Sequence, residues 1–244
     1  MDKINEFKEE VRQNIIRMGD DADMHALTRI WIREVSPYKY AYNFTWMGRP
    51  IIQFPQDMVA MQEIIWDVKP DLLIETGIAH GGSLIYYASL MELLGGNGHV
   101  LGLDIDIRAH NRIEIEKHPM FKRITMFEGS SISQEMAERV RDFAKSYKTI
   151  MLVLDSNHTH DHVLDELKLY SPLVSPGSYC VVFDTIVEDM PAGSFPDRPW
   201  DKGNNPKTAV WEFLKTNNDF EIDKSIENKI LITVAPDGWL KKIK

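Results

Sequence analysis

The sequence predicts an α/β fold, a mostly parallel sheet with helices on both faces, and three observations carry that prediction. Short apolar runs alternate along the chain with segments of helical spacing, joined by short connections. One stretch, DLLIETGIAHGGSLIYYASLMELLGGNGHVLGLDID at 71–106, reads as strand, glycine turn, helix and strand in succession. Acids stand where the apolar runs end, at Glu75, Asp104, Asp155 and Asp184. At 244 residues, 43% hydrophobic and 27% charged, the chain is long enough for a full core and ordinary for a globular protein.

Residues 2–18 place Ile4, Phe7, Val11, Ile15 and Met18 on one helical face with charges opposite. Such a helix packs on the main domain or on another subunit, and self-association into a homo-oligomer is expected. An aromatic-rich segment, 31–46, leads into Met47-Gly48-Arg49-Pro50 and reads as irregular; its aromatics either cover the core or wall a substrate pocket. A helix is predicted over 57–68, with Met58, Met61, Ile64 and Ile65 inward, stopping before Pro70. The boundary is placed there: an N-terminal helical and aromatic extension at 1–55, then one domain at 56–244.

In that domain a strand at 72–74 ends on Glu75, and a turn follows with Gly77, Gly81 and Gly82. A helix carries Leu84, Tyr87, Ala88, Met91 and Leu94, and a second strand at 100–103 ends on Asp104. Helices are predicted over 108–118, 133–147, 160–170 and 206–215, and strands over 124–127, 149–154 and 178–183. The last two strands, 220–223 and 229–234, read as a hairpin turning at 224–228. Between 185 and 205 lies a long loop rich in Pro and Gly, and loops of that length usually form a lid or binding loop. Pro191, Phe195, Pro196, Pro199 and Trp200 give it stiff, aromatic contact surface.

The 71–106 unit suits a nucleoside ligand. Glycines let the backbone approach, the helix start offers free N–H groups, and Asp104 can accept two ribose hydroxyls. The turn reads Glu-x-Gly-x-x-x-Gly-x-Ser (Glu75, Gly77, Gly81, Ser83), not Gly-x-Gly-x-x-Gly. Glu75 would repel a pyrophosphate and attract a cationic amino acid moiety, which argues against a nicotinamide dinucleotide.

In an open parallel sheet, ligands lie beyond the carboxyl ends of the strands, so Glu75, Asp104, residues 128–131, residues 155–158 and Asp184 should face one crevice. Carboxylates that close repel unless a cation separates them. Oxygen ligands from Asp155 and Asp184, completed by substrate and water, describe a Mg²⁺-type site better than zinc. Histidine is the usual general base, so His158, three residues past Asp155, could take a proton from a hydroxyl held there; His160 and His162 are nearby competitors.

A net charge of -9 argues against a nucleic-acid backbone or an anionic membrane as main partner. The single cysteine, Cys180, excludes an internal disulfide and points to a reducing cytoplasm. The opening MDKINEFKEEVRQ lacks a signal-type apolar core, and no run reaches membrane-spanning length.

Several pieces together resemble the cephalosporin hydroxylase family: WMGRPIIQFPQDM, PDLLIETGIAHGGSLIYYAS, GLDIDIR, LDSNHTHDHVLDELKLYSPLVSPGSYCVVFDT and NPKTAVWEFL, spanning about 44–213. That resemblance implies a Rossmann-like class I methyltransferase fold with a seven-stranded sheet, and S-adenosylmethionine with Mg²⁺ as cofactors. The implied activity is O-methyl transfer to a hydroxyl of a sugar or similar polyhydroxylated metabolite; the alternative is a cofactor-binding, non-catalytic partner of another enzyme. It places the methionine portion near Glu75, Gly77 and Ser83 in the turn that Gly81 closes, ribose on Asp104, adenine near Ser131, metal on Asp155 and Asp184, and His158 as base. Asp155 is thereby assigned to cofactor, metal and catalysis together. The family pattern usually closes the strand before the long loop with Glu-Asp, where this chain has Phe183-Asp184. Water, Glu188 or Asp189 then fills the vacant place, or the metal is held weakly or lost.

Overall fold

The computed structural model describes residues 2–244. The N-terminal face predicted for one helix forms as α1 (Lys3–Asp20), and a second helix, α2 (Ala22–Val35), follows directly. Asp21 starts α2 by accepting from the backbone N–H groups of Asp23 and Met24, a capping signal that the aromatic reading of this segment overlooked. The remainder of 31–46, expected to be irregular, instead forms two short 3-10 helices, Ser36–Tyr38 and Tyr40–Asn43, and then β1 (Phe44–Trp46), which pairs in a hairpin with β2 (Arg49–Ile51). Trp31, Tyr40, Phe44 and Phe54 meet edge-on in a cluster with Ile32, Met190 and Phe195, so these aromatics cover core and tie the extension to the long loop.

From α3 (Pro55–Val68) onward, strands and helices alternate: β3 (Leu72–Thr76), α4 (Gly82–Leu94), β4 (His99–Asp104), α5 (Ala109–Glu116), β5 (Ile124–Glu128), α6 (Gln134–Ala144), β6 (Ile150–Leu154), α7 (His160–Tyr170), β7 (Tyr179–Val182) and α8 (Pro206–Thr216). The chain closes with β8 (Phe220–Ile222), α9 (Lys224–Ile230) and β9 (Trp239–Lys242). The sheet has seven strands in the order β5-β4-β3-β6-β7-β9-β8, parallel from β5 to β7, with β9 antiparallel to both neighbours.

The C-terminal antiparallel pair is real, but the predicted hairpin is not its path. Residues 229–234 do not form a strand. Asp223 caps 224–230 into α9 by accepting from the Ser225 N–H, Lys224 pairs with Glu227 one turn on, and the return strand is Trp239–Lys242. Helix capping beat the β-branched run ILITV.

Alternation along each strand divides the core into two layers. Leu73, Val100, Met151, Val153, Val181, Phe183 and Trp239 face α3 and α4. Leu72, Ile74, Leu101, Leu103, Leu152, Leu154, Cys180 and Val182 face α6, α7 and α8. Both layers are dry, which explains why these strands read as continuous apolar runs. It also fixes the facing of the strand-end acids: Glu75 follows Leu73, and Asp155 follows Val153, onto the α3/α4 side. No described helix is long and apolar enough to cross a membrane.

Candidate active site

The turn after β3 is held by its own neighbours. Asp104 Oδ2 accepts from the N–H groups of Ile78 (2.8 Å) and Ala79 (3.3 Å), and Oδ1 accepts from Asp106 N–H at 3.0 Å. From outside, the Arg49 guanidinium donates to the His80 carbonyl and the Asn111 side-chain amide donates to the Ala79 carbonyl. Gly81 takes φ +80° at the start of α4. Glu75 is fully buried behind the turn; its Oε2 accepts from Ser83 Oγ at 2.8 Å and its Oε1 has no partner.

In front of the turn is a cavity of about 210 Å³. Of the predicted cofactor residues, Gly77, Asp104 and Ser131 line it, while Glu75, Gly81 and Ser83 stand behind its wall and Asp155 at its border. Three lining residues were not expected at this cavity: exposed Ile105, just past Asp104, offers an apolar face; His162, read only as a competing base, lies between Ser131 Oγ and Ser156 Oγ, each at 3.2 Å; and Trp200 arrives from the long loop. Trp200 was named only as loop surface, and the signal for the other two was their nearness to strand-end acids. A larger groove of about 450 Å³ lies between α7 and α8, lined by Leu164 and Phe213, and holds none of the strand-end acids.

Beside the cavity, Asp155, His158 and Asp184 each offer a ligand atom, and these atoms lie within 4.8 Å of one another. His158 Nε2 stands 3.1 Å from Asp184 Oδ2, and its ring meets Trp200 edge-on with centroids 4.7 Å apart. Burial raises the proton affinity of Asp155 well above the carboxylate range, and Asp184, Glu75, Glu166 and Asp57 each add to the effect. Four acids thus surround Asp155, an arrangement that favours a bound cation.

The competing histidines are placed elsewhere. His160 bonds Thr208 Oγ1 (2.8 Å) and faces Glu212 on α8, and His162 borders the cavity beside buried Glu166. The acids considered for the vacant position are also committed: Glu188 accepts from Gly203 N–H and the Asn205 side-chain amide, and Asp189 pairs with Lys207. These bonds, with Asn204 Oδ1 on the His160 N–H, hold the 185–205 loop in place. Phe183 is fully buried and packs edge-on against Trp239.

Burial pushes the Glu75 carboxyl up to about 8 and the Asp57 carboxyl up to about 7. Folded, both hold their protons more tightly than the unfolded chain does. From the ordinary carboxylate range up to those values the native state therefore carries more protons, and stability falls as pH rises through that window. Metal-free, cofactor-free protein is expected to unfold about 5 °C lower at about pH 8.5 than at about pH 6. A thermal melt series checks this, and an equal or higher midpoint at the alkaline end contradicts it.

A sheet of order β5-β4-β3-β6-β7-β9-β8, with its one antiparallel insertion and a cavity beyond the end of β3, has the class I methyltransferase-like fold. Solved structures of CmcI share it: an apo structure and one with Mg and SAM each align with TM-score 0.60 at 18% and 19% identity, covering 83% of this chain and 77% and 78% of theirs. Within that class the chain belongs to the Rhamnosyl O-methyltransferase/CmcI family, whose sequence profile matches residues 38–243. A rhamnosyl O-methyltransferase of Mycobacterium tuberculosis is 33% identical over 201 residues, 80% of this chain and 77% of that protein. Its Mycobacterium leprae counterpart is 32% identical over 198 residues, covering 80% and 82%. The protein is thus an O-methyltransferase by family.

Proposed function

We propose that this chain is an S-adenosylmethionine- and Mg²⁺-dependent O-methyltransferase acting on a sugar hydroxyl, with a rhamnosyl glycoside as the first acceptor class to test. The observation that carries this reading is the Asp155–His158–Asp184 group beside the nucleoside cavity, in a chain about one-third identical to rhamnosyl O-methyltransferases. The donor set fits a hard cation, since two carboxylates sit among further acids. S-adenosylmethionine supplies an already activated methyl group, and Mg²⁺ on Asp155 and Asp184 would lower the pKa of an acceptor hydroxyl.

The chain's residues do the rest. Gly77 lets the turn come close to the ligand, Asp104 and Ser131 offer polar atoms to ribose and base, and Ile105 and Trp200 wall the base on its apolar faces. Gly81 and Ser83 shape the turn from behind. Glu75, its second oxygen free, is oriented by Ser83 for the cationic end of the methionine portion. His158 accepts the hydroxyl proton at the ring nitrogen that Asp184 does not engage, and Asp184, 3.1 Å from Nε2, stabilises the imidazolium that forms. Trp200, in contact with His158 and lining the cavity, excludes water between the two halves.

Residues 1–55 belong to the same proposal as an extension in front of the 56–244 catalytic domain. α1 buries none of its side chains and exposes Ile4 and Phe7, which favours a homo-oligomer. The rival, a non-catalytic cofactor-binding partner, draws support from Phe183 in place of an acid; against it, three groups suited to the chemistry stand together.

Incubation with methyl-labelled cofactor and a panel of rhamnosides, other glycosides and aglycone controls tests the reading. Label in a rhamnoside ether is expected; cofactor binding without transfer to any acceptor supports the non-catalytic rival instead. Glu75→Gln is expected to weaken S-adenosylmethionine binding about tenfold, equivalent to about 1.4 kcal/mol, through loss of the charge facing the ammonium. Calorimetry checks it, and unchanged affinity contradicts the assignment.

A further inference from the structure

Asp57 is fully buried in the first turn of α3, outside every strand end from which the site has been assembled. One oxygen is accounted for: Oδ2 accepts from the Val234 N–H at 3.0 Å. The other, Oδ1, carries no hydrogen bond of ordinary geometry, which a buried carboxylate tolerates poorly, although the Thr233 side chain stands beside the carboxyl and lowers its proton affinity. Its position follows from the chain. Val234, which donates to Asp57, accepts through its carbonyl from the Ile186 N–H at 3.1 Å, and Ile186 is two residues past Asp184. Asp57 acts on Asp155, and Asp184 acts on Asp57, as a near like charge. Sheet alternation places Phe183 on the same side as Asp155, the side that α3 covers, and Phe183 packs in the layer containing Ala60, Met61 and Ile64 of α3.

We infer that Asp57 supplies, from α3, the third acid of the cation centre, its free Oδ1 receiving a hydrogen bond from a water of the ion's hydration shell. This inference rests on the reading of Asp155 and Asp184 as the Mg²⁺ ligands. Asp57 lies outside the group whose atoms are within 4.8 Å of one another, so a bridging water rather than direct ligation suits its distance. The bond would satisfy the orphan oxygen, and the charge would offset the acid that Phe183 omits. Asp57 is thus a positioning residue: it orients a water on the ion and adds charge without touching substrate. Outer-sphere partners of this kind change metal affinity about 10–100-fold when removed.

The test is Mn²⁺ binding, read by the loss of the free-ion paramagnetic signal, on the full chain as wild type, Asp57→Asn and Asp184→Asn. Asparagine keeps an acceptor for the Val234 N–H, so a purely structural role leaves Mn²⁺ affinity unmoved. Asp57→Asn is expected to bind Mn²⁺ about tenfold more weakly, with unchanged affinity for S-adenosylhomocysteine in the absence of metal and an undiminished melting midpoint. Mn²⁺ affinity within about twofold of wild type, while Asp184→Asn loses binding, overturns the role of Asp57 and leaves the metal site standing. Wild type indistinguishable from Asp184→Asn overturns both. Should Asp57→Asn fail to fold, a wild-type crystal with Mn²⁺ decides: a water joining the ion to Asp57 Oδ1 supports the inference, and an Oδ1 still without a partner overturns it.

Discussion

His158→Ala is expected to lower kcat by about 10²–10⁴ while leaving affinity for S-adenosylhomocysteine within about twofold of wild type. The ring is absent from the cavity lining, so the cofactor half of the site should not register its loss. What disappears is the acceptor for the hydroxyl proton, and the acidic limb of the rate–pH profile should go with it. The same variant separates two roles that geometry places close together. One ring nitrogen of His158 lies among the candidate ligand atoms, so a histidine that held the ion would take Mg²⁺ affinity down along with kcat. Rates paired with Mn²⁺ titration read both: low kcat with intact metal binding supports the base, and full activity removes it from the mechanism.

Gly77→Ala carries the largest structural effect. The residue sits at φ +93°, and a Cβ there would overlap the carbonyl oxygen of Asp155 on the adjacent strand. Backbone strain at such an angle costs about 1–2 kcal/mol, and the overlap forces either β3 or β6 to move at the point where cofactor and cation halves meet. A loss of at least about 3 kcal/mol in unfolding free energy, with cofactor binding abolished, is expected from denaturant unfolding and calorimetry. Gly96→Ala is the matched control: φ is +70° but nothing lies within 4 Å, so only the strain of about 1–2 kcal/mol should appear, with cofactor binding retained. Equal losses for the two variants would contradict the account of the turn.

The parallel half of the fold was legible because both faces of its strands are buried, which leaves continuous apolar runs ending in acids. The C-terminal end was not, because β9 contributes only Trp239 and Leu240 as apolar residues before two lysines, whereas the β-branched stretch ahead of it forms no strand. α2 hid behind its aromatics, although Asp21 marks its start. In the site, residues at neighbouring strand ends were readable together: Asp155 and His158 after β6 and Asp184 after β7 lie close to one another. Residues from elsewhere were not. Asp57 enters from a helix more than a hundred residues upstream of Asp184, and no spacing rule links them. Trp200 could be seen as loop surface, but its contact with His158 depends on how Glu188, Asp201 and Asn204 fold the loop back. Glu75 was read as an anchor for charge, and the structure adds that it is fully buried, with burial pushing its carboxyl up to about 8.

The central claim, a nucleoside cavity joined to a cation centre at Asp155 and Asp184, is met most directly by an anomalous-scattering map from crystals grown with S-adenosylhomocysteine and Mn²⁺. The account predicts one anomalous peak between the Asp155 and Asp184 carboxylates, with the nucleoside in the cavity lined by Asp104, Ser131 and Trp200. Cofactor density with no peak at those carboxylates, or a peak elsewhere in the molecule, would contradict it.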